Sequence, residues 1–536
     1  MSEHPPLTTE PSLDSQHKPR SVRVWAKKAW IHITKHVGIG IICAVAYFDP
    51  GNWGVDLQAG SEFGYKLLFV VLLAGLFAVI LQGLACKLGV VTGLDLAAHC
   101  RLLFYDRPKH PKLFRWLVLY PLYALSEVAI ISTDLAELLG SAIALNLLFP
   151  RLPLWAGVLL TAFDVLLILA FADPLHGRPV RSFELIIAVL VLIVLVCMCI
   201  LVSRIHVQWE DAFQGFLPSK ALVQHGGLYT SVGILGATIM PHSLYLGSAL
   251  ATQDRVSVKP VVLPTPSRIR DTGHRHNGLV GKISALLRPT NADNSDEFAS
   301  HADRPNNSLP FIKAHLYHGI IDLVVNLLGI AVVINSLILI LASAVFYKPG
   351  TETTTADIYD AHSALLEFVG RGAAVIFALA LLSAGQSASL VATVAGQIVS
   401  EGFLRWRVSP FMRRLLTRLL SLIPSVIVAV TIGRKGINTM LVASQVVLSI
   451  VLPFIIFPLV WLTSSRTVMR VRSPVTAAEP EPPKEDDTEE QQTVATHEYL
   501  DFSNGWVIAG IGYSIWLVVL VANGYVIITL ILGVGS

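Results

Sequence analysis

Apolar residues gather along this chain into eleven windows, at about residues 36–59, 65–91, 116–147, 154–173, 182–203, 227–251, 316–346, 370–402, 415–433, 438–463 and 505–533. Each comes close to or exceeds the ~20 residues an α-helix needs to cross a bilayer. The pattern predicts an all-α polytopic membrane protein with about 11 transmembrane (TM) helices. Two windows are interrupted at their middle. The first carries "VAYFDPGNWGVD", where Asp49, Pro50, Gly51 and Asn52 break an apolar run. The sixth carries "GILGATIMPHSLYLGSAL", with Met240, Pro241 and His242 at its centre. Both are predicted to be broken helices.

The polar stretches between windows set the organisation. Residues 1–35 read as a basic, disordered N-terminal tail without the pattern of a cleavable signal peptide, so the first span is expected to serve as its own insertion signal. Spans one to five fill 36–203, a loop at 204–226 follows, and spans six to ten fill 227–463. Two segments lack a sustained apolar period: 252–312, within a longer loop at 252–315, and 473–500, within an acidic linker at 464–504. Both are expected to be disordered, with phosphorylation or ubiquitin attachment as regulatory candidates against the plainer reading of a linker. The last span occupies 505–536. With the N-terminus inside, inner segments hold about thirty of the forty Lys and Arg and outer loops about eight. That bias predicts a cytoplasmic N-terminus and an extracytoplasmic C-terminus. The plasma membrane and an endosomal or vacuolar membrane both remain open. The glycosylation triplet at Asn306 then faces the cytoplasm, and no glycan is expected there.

Composition agrees with the windows. Of 536 residues, 53% are hydrophobic and only 14% charged, against about 25% in average chains. A soluble globular protein is excluded. The net charge of +3 is distributed loop by loop and gives no reason to expect nucleic acid. Five cysteines, Cys43, Cys86, Cys100, Cys197 and Cys199, lie in or at the ends of apolar windows without CxxC spacing, so neither a disulfide framework nor a thiolate cluster is expected.

The breaks carry the chemistry. An aspartate at bilayer depth costs roughly 2.5–3.5 kcal/mol even on lenient scales, which makes Asp49 a functional candidate rather than a loop residue. Pro50 and Pro241 lack an N–H, so the carbonyls four residues earlier, at Ala46 and Ala237, lose their helical partners. Irregular backbone at this depth is tolerated only where it is buried or lines a cavity. Freed carbonyls with the side chains of Asp49, Asn52 and Met240 make a ligand set for a dehydrated cation. Oxygen ligands alone suit Mg(II) or Ca(II), whereas a thioether favours transition metals, so Met240 is the selectivity element. Elsewhere a membrane methionine is ordinarily packing. Paired proline-broken spans in two halves point to a transporter built from inverted repeats.

The third span holds Glu127, Asp134 and Glu137 at i, i+7 and i+10, one stripe of a helix. A proton relay is the preferred reading. Structural ion pairs to neighbouring spans are the alternative, strongest for Glu127. Asp49 is itself a candidate first proton acceptor, releasing its proton toward Asp134 when a metal binds. His242, directly after Met-Pro, fits a tuning role without ligating metal.

The pair "DPGN" and "MPH" closely resembles the Nramp family of divalent-metal transporters. The likeness runs over about residues 36–465 through "SEVAIISTDLAELLGSAIAL", "NSLILILASAVF", "SAGQSASLVATVAGQIVSEGF" and "SQVVLSIVLPF", and its wording is similar to fungal members. The resemblance implies an amino-acid-transporter-like fold of two inverted five-helix repeats, TM1–5 and TM6–10, with broken TM1 and TM6 and one further C-terminal TM helix. It implies proton-coupled symport of Mn(II) and Fe(II), with Co(II), Zn(II) and Cd(II) as further cargo, toward the cytoplasm and without a cofactor. By that analogy Asp49, Asn52 and Met240 bind metal by side chain, Ala46 and Ala237 by carbonyl, and Gln445 joins from the tenth span. His242 and the third-span acids serve proton movement, and Pro50, Gly51 and Pro241 form the breaks.

One departure stands out. Many members read MPHNLYLH where this chain reads "MPHSLYLG", so Ser243 and Gly247 replace an amide and a second histidine. A proton step assigned to that histidine does not carry over. Two rivals are set aside on the ligand set. A Na+-coupled carrier of organic solutes on the same architecture needs neither the aspartate nor the methionine. A membrane sensor that has lost transport would be expected to show decay of the set. No HExxH, GxSxG or phosphate-binding glycine loop suggests an enzyme.

Overall fold

All eleven apolar windows are occupied by helix in the computed structural model, which describes residues 38–171, 181–224, 226–255, 301, 304–348, 355–405, 410–431, 433–472 and 499–532. The N-terminal tail and most of the two long polar segments lie outside the described residues.

The first span is two pieces, α1 (Ile39–Val45) and α2 (Pro50–Phe63), joined by the unwound residues 46–49. Proline is well placed at the first position of α2, where its missing N–H costs nothing, and Asp49 caps the helix by accepting from Asn52 N at 2.9 Å. Next come α3 (Leu68–Thr92), the short helix α4 (Leu96–Phe104), α5 (Tyr120–Leu148), α6 (Leu154–Phe171) and α7 (Arg181–Arg204). The sixth span repeats the design of the first. Its halves α8 (Gly227–Thr238) and α9 (Pro241–Leu250) are parted by Ile239 and Met240, again with proline at the first position of the second half.

The chain continues through α10 (Leu309–Asn326), α11 (Val332–Phe346), the amphipathic α12 (Ile358–Phe368), α13 (Arg371–Leu404), α14 (Pro410–Thr431), α15 (Gly433–Ser464) and α16 (Trp506–Leu532). Window averages miss the exact ends. The third span is helical from Pro111 and the seventh from Leu309, each passing through a wide turn, at Arg115–Leu119 and Leu327–Ala331. Five spans is an odd number, so the second set of five enters the bilayer from the opposite side and is inverted relative to the first.

The eleventh span is fixed by a repair. Pro453 inside α15 deprives the Ser449 carbonyl of its helical donor. From α16, Asn523 Nδ2 donates to that carbonyl at 2.8 Å, and Trp516 Nε1 donates to the Pro453 carbonyl at 3.1 Å. The far side of α16 carries exposed Ile, Leu and Val, as suits a lipid-facing helix.

On the face where α3 ends, His301 and residues 304–307 work as a strap. Arg304 donates to the Thr92 and Gly93 carbonyls, Asn307 Nδ2 to the Val90 carbonyl, and Asn306 Nδ2 to the Val468 and Arg470 carbonyls. His301 Nε2 lies 2.9 Å from His99 Nδ1 with the rings stacked. Thr92 Oγ1 donates to the Leu88 carbonyl, so at 2.8 Å it accepts from His99 Nε2; His99 Nδ1 is then the acceptor for His301. Close by, β1 (Arg470–Arg472) pairs antiparallel with β2 (Tyr499–Asp501), bringing the ends of the acidic linker together.

Candidate metal site

The two breaks meet. Tyr47, in the first, places its hydroxyl 3.1 Å from that of Ser243, in the first turn after the second. Gln445 on α15 touches both: a Cβ added at Gly51 would run into its side-chain amide, and one added at Gly236 would run into its carbonyl. The absence of side chains at Gly51 and Gly236 is what admits this residue. Asp49, Asn52, Met240, His242 and Gln445 are all buried.

Local hydrogen bonds leave acceptors free. Asp49 spends Oδ1 on the cap of α2, and Oδ2 has no hydrogen-bond partner among the described residues. Asn52 turns its amino group to the Tyr47 carbonyl at 2.9 Å, leaving Oδ1 unpartnered. Gln445 Nε2 donates to Ser444 Oγ at 3.1 Å, and Oε1 is unpartnered. No turn or cap hydrogen bond in the described residues ends on the Ala46 or Ala237 carbonyl. Buried acceptors without donors are costly unless a cation or water satisfies them. Met240 is buried at the start of α9, and its carbonyl is taken by Ser243. Among the described residues no three His, Cys, Asp or Glu side chains form a metal cage. The candidates are instead one carboxylate, neutral oxygens and the Met240 sulfur, a mixture that would suit a borderline-soft divalent cation.

The third-span acids divide. Glu127 pairs with Arg413, and Asp134 pairs with Arg418 and accepts from Ser421, all three partners on α14. Glu137 is buried one turn before Gly140, and Gly140 has the Pro50 ring against it, so this end of the stripe abuts the first break. His242 Nδ1 lies 3.4 Å from Thr133 Oγ1 on α5, and Nε2 has no hydrogen-bond partner among the described residues. One stripe thus runs from the first break, through Glu137, to a buried acid–arginine ladder.

Comparison with known proteins fits this geometry. The family model described as natural resistance-associated macrophage protein-like, Nramp, matches residues 40–475. This chain belongs to the Nramp family. Among relatives of the Nramp chain, the manganese transporter pdt1 of Schizosaccharomyces pombe is 41% identical over 504 residues, 93% of this chain and 86% of that one. The iron transporter SMF3 of Saccharomyces cerevisiae is 38% identical over 506 residues, 93% and 96% of the two chains. A crystal structure of the Eremococcus coleocola manganese transporter superposes with a TM-score of 0.65 at 27% identity, covering 94% of this chain and 87% of that one. The expectations of an Nramp membership, a fungal-type sequence and a multi-pass helical membrane fold are met.

Sequence reasoning missed several residues around the candidate site of this Nramp chain. Asn335 on α11 donates to the Tyr47 carbonyl at 2.6 Å, claiming an acceptor next to the proposed ligands. Asp56 lies two turns beyond Asp49 on α2, buried with one oxygen unpartnered, and seven-residue spacing was its available signal. At Gly247, where many members carry histidine, Gln82 from α3 fills the space: its Nε2 donates to the Ser243 carbonyl at 3.1 Å and contacts Cys43 Sγ at 3.0 Å. An amide that does not titrate near neutral pH thus stands against the place of a group that does.

Proposed function

We propose that this Nramp protein is a proton-coupled symporter of divalent transition-metal ions, with Mn(II) and Fe(II) as the principal cargo, moving them toward the cytoplasm by alternating access. The observation that carries the reading is the set of buried, unpartnered oxygens of Asp49, Asn52 and Gln445 gathered at two facing helix breaks, with Met240 supplying sulfur. The naming of the fungal relatives as manganese and iron transporters supports the choice of cargo.

The chain's residues would act as follows. Asp49 offers the negative charge that draws in a divalent cation, and Asn52, Gln445 and the Ala46 and Ala237 carbonyls replace its water. Met240 favours ions that accept sulfur and so discriminates against Mg(II) and Ca(II). Bringing a cation beside a protonated Asp49 favours loss of the proton. Glu137 is the nearest acid on the α5 stripe to take it, and the Asp134–Arg418 and Glu127–Arg413 pairs continue the stripe. His242 tunes the field at the second break without serving as a ligand.

Uptake into proteoliposomes with an acidic exterior tests this, comparing Mn(II), Mg(II) and Ca(II) for the wild type, Asp49→Ala and Met240→Ala. The expected result is Mn(II) entry with protons, abolished by Asp49→Ala, and a loss of selectivity against Mg(II) and Ca(II) in Met240→Ala. A wild type that moves none of these metals under any gradient would overturn the proposal.

A further inference from the structure

The end of the bundle that the Lys and Arg bias predicts to face the cytoplasm carries a basic patch that metal transport does not use. In residues 101–115, "RLLFYDRPKHPKLFR", which join α4 to the third span, five Lys and Arg stand against one acid, Asp106. Asp106 pairs with Arg115 at 3.1 Å. Among the described residues no carboxylate pairs with Arg107, Lys109 or Lys112.

Three of these arginines are fixed in place by aromatic rings. The Arg101 guanidinium lies 3.9 Å from the Tyr105 ring centroid, the Arg115 guanidinium lies 3.6 Å from the same centroid, and Arg107 lies 4.2 Å from that of Phe114. Carbonyls complete the hold: Arg101 Nη1 donates to Phe403 on α13 at 2.8 Å, and Arg115 Nη2 to Tyr105 at 3.1 Å. Arg405, exposed at the end of α13, adds another positive charge to this group. Burial lowers the Arg101 pKa, and the Arg405 charge works in the same direction. A guanidinium held by a ring keeps N–H groups along its edge for phosphate oxygens. Like charges brought together by α4, α13 and the start of the third span, with too few carboxylates to match them, are stabilised by an anion from outside the chain.

The patch lies at headgroup depth. Leu113, Trp116 and Leu117 carry the chain from it into the third span and are all exposed, with the Trp116 ring 5.0 Å from that of Tyr120. Trp and Tyr at the end of an apolar span mark the bilayer interface. The basic side chains therefore sit level with lipid phosphates, with exposed apolar side chains directly beyond them.

We propose that Arg101, Arg107, Lys109, Lys112, Arg115 and Arg405 form a site for an acidic phospholipid whose headgroup carries phosphate monoesters, with Leu113, Trp116 and Leu117 against its acyl chains. Fixed guanidinium groups favour phosphate over a serine headgroup because they pair with its oxygens bidentately. Basic clusters beside a membrane span are suited to the anionic lipids of the cytoplasmic leaflet. The site shares no residue with the proposed metal ligands and does not depend on the cargo.

Fluorescence anisotropy of a labelled short-chain phosphatidylinositol bisphosphate, added to the full-length chain in detergent micelles, tests this. Unlabelled lipid is expected to displace the probe at about tenfold lower concentration than phosphatidylserine or inositol trisphosphate, the headgroup without acyl chains. Lys109→Gln with Lys112→Gln, both exposed, is expected to weaken binding by at least about tenfold. Arg101→Gln with Arg115→Gln is expected to weaken it as much, and the lysine pair decides the matter if that variant does not fold. Arg466→Gln, at the same end of the bundle and paired with Asp501, is expected to leave binding unchanged. No binding by the wild type overturns the proposal, as does unaltered binding in the lysine variant. An equal loss in Arg466→Gln would mean diffuse attraction rather than a site. Equal displacement by inositol trisphosphate would assign the patch to a soluble phosphate compound, and equal displacement by phosphatidylserine would remove the preference for monoesters; either result overturns the lipid site as stated.

Discussion

Arg418 reaches from α14 to pair with Asp134 on α5, and both side chains are almost wholly buried. A buried pair adds little net stability, but stripping one partner leaves a charge with nowhere to go, at about 3–5 kcal/mol. Arg418→Met is therefore expected to lower thermal stability in detergent steeply, and Arg418→Met with Asp134→Leu to recover most of the loss. Thermal unfolding of the two singles and the double checks this; losses that simply add would mean the pair is not coupled.

Gly51 is expected to control Gln445 at small structural cost. Alanine there meets only the flexible end of the Gln445 side chain. Gly51→Ala should change stability by less than about 1 kcal/mol yet weaken Mn(II) binding about tenfold, because Gln445 is displaced from the break. Calorimetry together with a melting curve tests both halves; unaltered affinity would remove Gln445 from the ligand set.

Two glycines on α3 make a matched pair. A Cβ at Gly89 would enter the Ser248 carbonyl, a backbone atom of α9 that cannot swing aside, whereas nothing lies within 4 Å of one at Gly83. Gly89→Ala should destabilise by roughly 1–3 kcal/mol. Gly83→Ala should be neutral or gain up to about 1 kcal/mol from helix propensity. Equal effects at the two positions would contradict the close approach of α3 and α9.

The strap is expected to loosen in acid. Burial and the Arg304 guanidinium lower the His301 pKa from its ordinary 6.5 to about 4, and burial pushes His99 well below its ordinary value. A folded pKa below the unfolded one means the docked form binds protons less readily. Its stability is fully present above about 6.5 and is lost as pH falls toward 4. Hydrogen exchange of the Asn307 amide, which donates to the Val91 carbonyl, should accelerate across that window. His301→Gln should flatten the dependence, and a profile identical to the wild type's would count against it.

The spans were readable because bilayer thickness imposes a length on every apolar run, and the breaks because proline and aspartate are so costly inside one. Partners were not readable. Arg413 and Arg418 look like ordinary inner-loop and span-edge charges in "RWRVSPFMRRLLTRLL", since nothing in α14 reports that it lies beside α5. Asp322, on α10, fell within an apolar window whose average concealed it, and the Gly38 and Gly40 N–H groups it accepts from, at the start of α1, lie far away in sequence. Gln445 was assigned to the site by family resemblance; its fit depends on two glycines on other helices. Gln82 gave no signal because the space it fills was created by Gly247, on another span.

The β1–β2 ribbon changes what the acidic segment between α15 and α16 is. Because Arg470–Arg472 lies alongside Tyr499–Asp501, the intervening chain departs and returns at one point, and the distance it covers does not depend on how many residues it has. Lengthening such an excursion costs only about 0.6 kcal/mol per doubling. The segment is a side loop rather than a tether, a place where a fluorescent domain or an epitope can be grafted without pulling the last helix off the bundle.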